Sequence, residues 1–392
     1  MSANAGAGSL VASSTPEADR PAEGPELRAR GEMVLYRLFD VGYEIDLEEA
    51  FQLLASSSPE RLRPARGEAQ AIRIANPPVT VRLGRTSLAV AGLPLELEVS
   101  ARLFDFGVVS LRARVLAPSP CPWAEFVDWC AAINASPDWA GHFEHWRVGL
   151  VDRMRPAINR PAVASVAEDY TVFRLRGLED GEGRAVPIRA LGEQDVAGLL
   201  LGERRVLSAA TRRDLLSPGF SYYEDDLATM AWNAALVIEP AAEDEDVQYV
   251  LEFANAQLLE LRYYDALLDA EIPRIYGEIA AARRGLNPFG RRFSRLLGVL
   301  QARVADTTEV IERVENSLKV TDDVFLARVY AAALEVFRGP TWRVGIDRKV
   351  AILYEAYSML NAESQAQRAE GLEIAIIALI IGEIVLALLK HR

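Results

Sequence analysis

The sequence predicts an α+β N-terminal domain, followed by a long antiparallel helical hairpin of the coiled-coil type and a C-terminal transmembrane helix. Short alternating or β-branched runs, separated by Gly and Pro, precede residue 240. Apolar residues spaced by three and four follow it, and an 18-residue apolar run lies near the C-terminus. The predicted parts are a disordered tail at 1–30, the α+β domain at 31–240, the helical hairpin and stalk at 241–370, and a membrane anchor at 371–392.

The composition is that of a globular protein with an acidic surface. Residues 1–30 are mostly Ala, Gly, Ser, Pro and Glu, which cannot bury enough apolar surface to offset the entropy of ordering. The net charge is −13, and residues 214–261 contain eleven acids and no Lys or Arg. Such a stretch would repel a phosphate backbone, so we expect no sequence-specific binding of nucleic acid.

The elements of the α+β domain follow from short-range patterns. Residues 33–45 alternate and predict a strand, and 47–54 predict a short amphipathic helix. The runs at 71–75, 79–83, 87–91 and 95–116 predict antiparallel strands, because Asn-Pro-Pro, Gly and Gly-Leu-Pro separate them. Trp-rich stretches at 123–133 and 139–154 predict helices, and a strand, a helix and a strand follow at 170–175, 193–202 and 227–238.

The period becomes helical after residue 240. An apolar seam runs from 247 to 279, and a second run from 293 to 318 follows a Gly-Leu-Asn-Pro break, which predicts two long antiparallel helices. Pro273 is expected to kink or split the first helix. The run Thr321-Asp322-Asp323 is an N-cap signal for a further helix that ends at Gly339-Pro340, and a last helix is expected to start near Gly345.

The apolar run at 372–389 has the length of a membrane span. Twelve of its eighteen residues are Leu, Ile or Val, and as a helix it is about 27 Å long. Twelve aliphatic side chains contribute about −6 kcal/mol to insertion, whereas one acid near the centre costs about +3 kcal/mol. Insertion is therefore favoured despite Glu383. The alternative is a buried helix inside a soluble oligomer.

Small residues in this run predict contact between two such helices. Ala378 and Gly382 form a small-xxx-small pair, with Ala375 one turn earlier, so the backbones of two helices could approach closely. We expect Glu383 to be protonated or hydrogen-bonded at that interface. The alternative is a glutamate tolerated by local thinning of the bilayer.

A basic cluster marks the predicted tip of the hairpin. It consists of Arg283, Arg284, Arg291, Arg292 and Arg295, with no acid between them. The cluster predicts contact with anionic lipid or an acidic protein partner, and a solvated turn explains it equally well.

Signatures of catalysis, cofactor binding and metal binding are absent from the sequence. It contains no Walker loop, dinucleotide fingerprint, nucleophile elbow or zincin helix. Cys121, Cys130, His142 and His145 miss the spacing of zinc fingers. The acidic runs at 224–226 and 243–246 are typical of solvated turns or helix N-termini. We therefore assign no catalytic, cofactor-binding or metal-binding residue and expect no cofactor.

Two motifs resemble a known family. Residues 372–384 resemble the Leu-Glu-x-x-Ile-Ile-x-Leu-Ile-x-x-Glu-Ile signature of the "required for meiotic nuclear division" family, also called Sif-type, although Ala375 lies where many members carry an aromatic residue. Residues 103–109, Leu-Phe-Asp-Phe-Gly-Val-Val, are similar to a strand of that family. The resemblance implies a membrane-associated, oligomeric protein without established enzymatic activity. One mitochondrial member forms a homo-oligomer that supports translation.

The leading hypothesis is therefore a non-enzymatic, tail-anchored membrane protein that self-associates through its hairpin and anchor and acts as a scaffold or assembly factor. The expected location is the cytoplasmic membrane of a bacterium, with most of the chain facing the cytosol. An oligomeric channel or transport-related protein is one alternative. A nucleotide-binding or hydrolytic enzyme in the α+β domain is the other.

Overall fold

The computed structural model describes residues 27–61, 76–161, 166–217, 219–240, 245–284 and 323–390, with isolated positions between 298 and 305. The predicted tail up to residue 26, the strand at 71–75 and nearly all of the second hairpin helix at 293–318 lie outside the described residues. Some side chains within helices also lie outside them, among them those of Arg283, Arg284 and Leu388.

A large mixed sheet forms the centre of the N-terminal region. Its main path has the order β11-β12-β9-β1-β6-β5-β4-β3, with β10 beside β9 and β7 beside β1, while β2 and β8 form a separate pair. The pairs are antiparallel except for β12, which runs parallel to β9. The strands are β1 Arg28–Asp40, β2 Gly42–Ile45, β3 Glu60–Arg61, β4 Val79–Val90, β5 Leu93–Leu103, β6 Val108–Leu116, β7 Cys121–Pro122, β8 Ile158–Pro161, β9 Ala167–Glu179, β10 Ala185–Val186, β11 Leu227–Met230 and β12 Ala234–Ile238.

Helices cover both faces of this sheet. They are α1 Leu47–Leu53, α2 Trp123–Asn134, α3 Asp138–Met154, α4 Glu193–Leu201, α5 Ala209–Leu216, α6 Asp246–Arg284, α7 Val324–Val336 and α8 Gly339–Lys390. Alternation along β1 assigns the faces: Met33 and Leu35 belong to the core that contains α2 and α4, whereas Val34 and Tyr36 belong to the core that contains α6 and α7. The result is a three-layer arrangement with the sheet in the middle.

The predicted order of a sheet domain followed by helices is confirmed. Several local predictions for the sheet domain differ from the structure. The runs at 79–83 and 87–91 form one strand that continues through a bulge at Gly84, and the run at 95–116 is divided by a turn at 104–107. The predicted strand at 227–238 is the hairpin β11–β12, and the helix α5 was not predicted.

The first half of α6 is buried on the sheet. Apolar residues of its predicted seam, such as Leu251 and Leu258, are buried, and so are its polar residues Gln248, Glu252 and Asn255. The sheet lies on one side of this segment and α7 on another. The second half of α6 packs against α8, with Leu268, Ile275, Leu353 and Leu360 buried between them.

The helices α7 and α8 run in the same direction as α6. Tyr330 bonds Gln257, and Lys349 Nζ lies 2.6 Å from Asp265 Oδ1 and 2.7 Å from Asp269 Oδ1, so residue numbers rise together along the contacts. The predicted antiparallel partner of α6, at 293–318, falls outside the described residues. Whether it forms a coiled-coil hairpin with α6 stays a prediction.

Helix boundaries in this part follow local chemistry. The N-cap predicted in the run 321–323 is confirmed at Asp323, whose side chain accepts hydrogen bonds from the backbone N–H groups of Phe325 and Leu326. A split of the helix at Pro273 is wrong, because α6 continues through this residue, whereas a kink there stays a prediction. The helix α8 starts at Gly339 rather than near Gly345. Pro340 fits its first turn, where no intrahelical N–H bond is required, and Arg338 at φ +53° separates α8 from α7.

The C-terminal run 372–389 is the last part of α8. Counting only the side chains that the structure describes, which leave out Leu388, no helix is long and apolar enough to cross a membrane.

Candidate functional site

The end of α8 exposes large apolar side chains to solvent. The exposed fractions run from 49% at Val385 to 71% at Leu379, with Ile376, Ile380 and Ile384 between them. These side chains point in many directions around the helix, because successive residues are about 100° apart. A helix that is apolar on all sides is stable when a protein core or a lipid bilayer surrounds it.

The sequence-predicted interface residues lie on this exposed segment. At about 100° per residue, Ala375, Ala378 and Gly382 fall within an arc of about 60°. A Cβ atom added to Gly382 would meet no atom within 4 Å, so this face is open. Glu383 is also exposed and lies about 100° around the helix from Gly382. The structure therefore brings the three small residues onto one stripe and places Glu383 beside it.

The basic tip has no described geometry. Arg291, Arg292 and Arg295 lie outside the described residues, as do the side chains of Arg283 and Arg284. The predicted contact with lipid or a protein partner at this point stays a prediction.

A cavity of about 960 Å³ lies on the outer part of the sheet, on the face that carries α6. We call it the arginine cavity. Five arginines and three glutamates line it, which leaves an excess of two positive charges in a chain of net charge −13. The remaining wall consists of Phe51, Pro59, Thr80 and Ser100. The charged lining residues are Arg61, Arg82, Arg102, Arg112, Arg114, Glu60, Glu98 and Glu245.

Strand register aligns part of this lining. Arg82 on β4 pairs with Ser100 on β5, which pairs with Arg112 on β6, so the three side chains form a row across the sheet. Adjacent strands are about 4.8 Å apart, which places the two arginines about 10 Å apart at their backbones, with a small hydroxyl between them. Tyr36 on β1 continues the row beside Arg112, whose guanidinium lies 5.8 Å from the ring centre.

Carboxylates partly neutralise the arginines. Arg102 is paired with Glu252 of α6, and both side chains are buried. Arg112 lies 3.0 Å from Glu245. Burial alone would raise the pKa of Glu245, but the guanidinium groups of Arg112, Arg102 and Arg174 together more than offset it, so the pKa of this carboxyl lies below its ordinary value. The other pairs are Arg114 with Glu32 at 2.8 Å, Arg82 with Glu60 at 3.0 Å and Arg61 with Glu48 at 2.6 Å.

Several buried polar atoms around the cavity have no hydrogen-bond partner among the described residues. They are Arg112 Nε, Ser110 Oγ, Tyr36 Oη and Glu252 Oε1. Such groups are uncommon because each loses its hydration without compensation. Burial also raises the pKa of Tyr36, so its phenol stays protonated and can donate a hydrogen bond. The sequence pattern did not identify this cluster.

The other polar motifs show no shared geometry. Cys121 and Cys130 are free and buried, and burial raises the pKa of both thiols. His142 stacks on Trp146. Across the described residues, no three His, Cys, Asp or Glu side chains are placed to share a metal ion. In the run at 224–226, Asp226 accepts a hydrogen bond from the Tyr222 backbone N–H at 2.8 Å.

The second family motif has a different structure from the one expected. Residues 104–107 are the turn between β5 and β6 rather than part of a strand, because Gly107 adopts φ +95°. Phe104 and Phe106 stack with ring centres 5.3 Å apart and contact Phe253 of α6. This turn therefore anchors α6 to the sheet.

Comparison with known proteins identifies the N-terminal region. The family model described as uncharacterized protein MJ0711, N-terminal domain, matches residues 30–245. The uncharacterized protein MJ0711 of Methanocaldococcus jannaschii is 23% identical over 177 residues, which are 45% of this chain and 53% of that protein. The match thus spans about half the length of the curated relative. No solved structure matches the chain. Because the family model covers more than half of the residues, the chain belongs to the family of the MJ0711 N-terminal domain.

Proposed function

We propose that this protein is a non-enzymatic, membrane-anchored scaffold or assembly factor that self-associates, with the apolar end of α8 as its anchor. One observation carries the proposal. Residues 372–387 expose Leu, Ile and Val side chains to solvent in many directions around one helix. The resemblance to the meiotic-nuclear-division family points to the same function but stays a prediction.

The free energy of burial supports a covering partner for this segment. Eleven large apolar side chains between Leu372 and Leu389 are at least 49% exposed. Full burial of each such side chain contributes about 1.5–3 kcal/mol, so their exposure to water costs about 10 kcal/mol or more. A bilayer removes this cost at once, and the basic Lys390 after the run suits an interface with lipid headgroups.

The connection between domain and anchor is one continuous helix. Among the side chains that the structure describes, Leu360 is the last buried residue in the contact of α8 with α6, and the exposed apolar run begins at Leu372. Twelve residues of helix span about 18 Å, so the folded domain would stand a short, fixed distance from the bilayer. Two buried free thiols, Cys121 and Cys130, suit a reducing compartment, which supports placing the domain on the cytosolic side.

Flotation with liposomes tests the anchor. The full-length protein is compared with a chain that ends at Glu370 and with the double variant Ile376→Lys/Ile380→Lys, while Ile376→Leu/Ile380→Leu serves as the matched control. Each Lys near the centre of a span costs about 3 kcal/mol, so the Lys variant and the shortened chain should stay in the aqueous fraction. The full-length protein and the Leu variant should float and resist alkaline carbonate.

The mass of the detergent-solubilised protein tests self-association. The full-length protein should be a discrete oligomer, and the chain ending at Glu370 should be smaller and soluble. Equal, soluble masses of both chains would mean that the apolar helix is a protein core rather than an anchor. Equal flotation of the Lys and Leu variants would also contradict the proposal.

A further inference from the structure

The arginine cavity has the features of a ligand site that the proposed membrane anchor does not use. It lies on the sheet, far along the chain from the apolar end of α8, and its polar lining comes from β3, β4, β5 and β6 together with Glu245 just before α6. A volume of about 960 Å³ is at the upper end of the range of small-molecule sites.

The lining retains unused hydrogen-bond donors. A guanidinium has five N–H groups, and the carboxylate partners of Arg82 and Arg112 each engage only part of such a set. Arg112 is 8% exposed, and its Nε has no acceptor among the described residues. Ser110 and Tyr36 do not line the cavity but pair in register with its residues Arg102 and Arg112, and their buried hydroxyls also lack partners among the described residues. These donors fit a ligand that brings several acceptor oxygens.

The charge and spacing select the ligand class. Arginines outnumber carboxylates by two in the lining itself, while Glu32, Glu48 and Glu252 pair with three of these arginines from outside the lining. The planar fork of Arg binds phosphate oxygens in a bidentate manner. Arg82 and Arg112 flank Ser100 in one row, about 10 Å apart at their backbones, so two linked phosphate groups that lie along the row would each meet one arginine.

We propose that the arginine cavity binds a small molecule that carries at least two linked phosphate groups, with Arg82, Arg102 and Arg112 as its principal ligands. Ser100 leaves room between the arginines for the phosphate groups. Phe51 and Pro59 supply an apolar wall for the organic part of the molecule.

Substitutions of Ser100 provide the sharpest test. In Ser100→Asp, a carboxylate lies between Arg82 and Arg112 and occupies the place of the ligand without removing either arginine. Ser100→Asn has nearly the same size and no charge, so it is the matched control. We measure binding of pyrophosphate and ATP to the full-length protein in detergent by calorimetry and by the shift in melting temperature, with adenosine as the uncharged probe.

The expected result is binding of pyrophosphate or ATP, but not adenosine, to the wild type and to Ser100→Asn. Binding to Ser100→Asp should be weaker by about tenfold or more, and affinity should fall as salt concentration rises. Melting without probe checks that both variants fold. If Ser100→Asp fails to fold, Arg82→Gln replaces it, with Arg155→Gln as control, because both arginines are exposed and paired with an acid but only Arg82 lines the cavity.

Two outcomes would overturn the proposal. One is the absence of binding by pyrophosphate, ATP and dioctanoylglycerol pyrophosphate, a short-chain lipid with a diphosphate headgroup, to the wild type. The other is equal affinity of all variants for these probes. If only the short-chain lipid binds and its affinity falls in Ser100→Asp, the diphosphate chemistry holds and the phosphate groups belong to a lipid headgroup rather than to a free molecule.

Discussion

Arg102 on β5 and Glu252 on α6 form an ion pair inside the interface between sheet and helix, with side chains that are 4% and 0% exposed. The Arg102 guanidinium also lies 4.8 Å from the centre of the Tyr249 ring and donates to Thr80 Oγ1 at 3.3 Å. The pair therefore links the arginine cavity to α6, the helix whose second half packs against α8. Removal of either charge leaves the other buried without its partner.

Glu252→Gln should destabilise the fold by about 3–5 kcal/mol, because the buried charge of Arg102 loses its compensation. The double variant Arg102→Met/Glu252→Met should recover most of this loss, since apolar residues of similar volume need no partner. Urea unfolding followed by circular dichroism measures both. Arg82→Gln, which breaks an exposed pair, should change stability by less than about 1 kcal/mol. If Glu252→Gln and Arg82→Gln lowered the free energy of unfolding by similar amounts, burial of the Arg102–Glu252 pair would not be what makes its loss costly.

The residues of the arginine cavity explain why sequence analysis did not identify this site. Arg82, Ser100 and Arg112 lie on three strands, and only the register of those strands brings them together. Glu252, the partner of Arg102, lies beside the predicted apolar seam rather than in it, and an isolated amphipathic helix would expose it. It is buried because the sheet and α7 enclose this part of α6. The burial of Glu252 therefore depends on tertiary packing, which the helical period of the sequence does not encode.

Local signals, in contrast, predicted the elements that depend on nearby residues. The Asp323 cap and the Trp-rich helices α2 and α3 have the expected places, because caps and amphipathic periods act within a few residues. The hairpin β11–β12 was predicted as one strand, since the turn at 231–233 contains no Gly or Pro. The parallel pairing of β12 with β9 joins distant segments and has no local signature.

Asp40 should make stability depend on pH. Burial raises its pKa from 3.8 to about 7, and the hydrogen bond from the Gly42 N–H, which favours the carboxylate, offsets only part of that effect. Because the pKa of Asp40 is higher in the folded protein, its carboxyl group ionises at a lower pH in the unfolded chain than in the folded one. The contribution of Asp40 is favourable below about pH 4 and is lost as pH rises toward 7.

Asp40→Asn removes this loss while the amide oxygen can still accept the bond from Gly42. The variant should be more stable than the wild type at pH 8 by up to about 4 kcal/mol and should show little difference near pH 4. Free energies of unfolding in urea at both pH values measure the effect. A stability difference between variant and wild type that does not change with pH would exclude ionisation of Asp40 as its cause.

Gly107 should tolerate no side chain. Its φ is +95°, and an added Cβ would lie 1.8 Å from the carbonyl oxygen of Gly42, which is backbone and cannot rotate away. Gly107→Ala should therefore cost at least about 2 kcal/mol by shifting the turn that anchors α6.

Gly141 is the matched control for this substitution. It lies inside α3, and an added Cβ would meet no atom within 4 Å. Gly141→Ala should stabilise the protein by about 0.5–1 kcal/mol through the higher helix propensity of Ala. The midpoints of urea unfolding compare the two variants directly. A loss of stability in both would show that the close approach to Gly42 is not the determining contact.

Gly382 should control association of the proposed anchors more than their insertion. The stripe of Ala375, Ala378 and Gly382 is open, so a second helix can approach the backbone there. Gly382→Leu adds a bulky side chain to the stripe while it increases hydropathy. The oligomer should dissociate toward smaller species in detergent, and flotation with liposomes should be unchanged. Ile380→Leu, at about 140° or more from the stripe, is the control and should keep the mass of the wild type. A smaller mass for the control, or an unchanged mass for Gly382→Leu, would assign self-association to another surface of the chain.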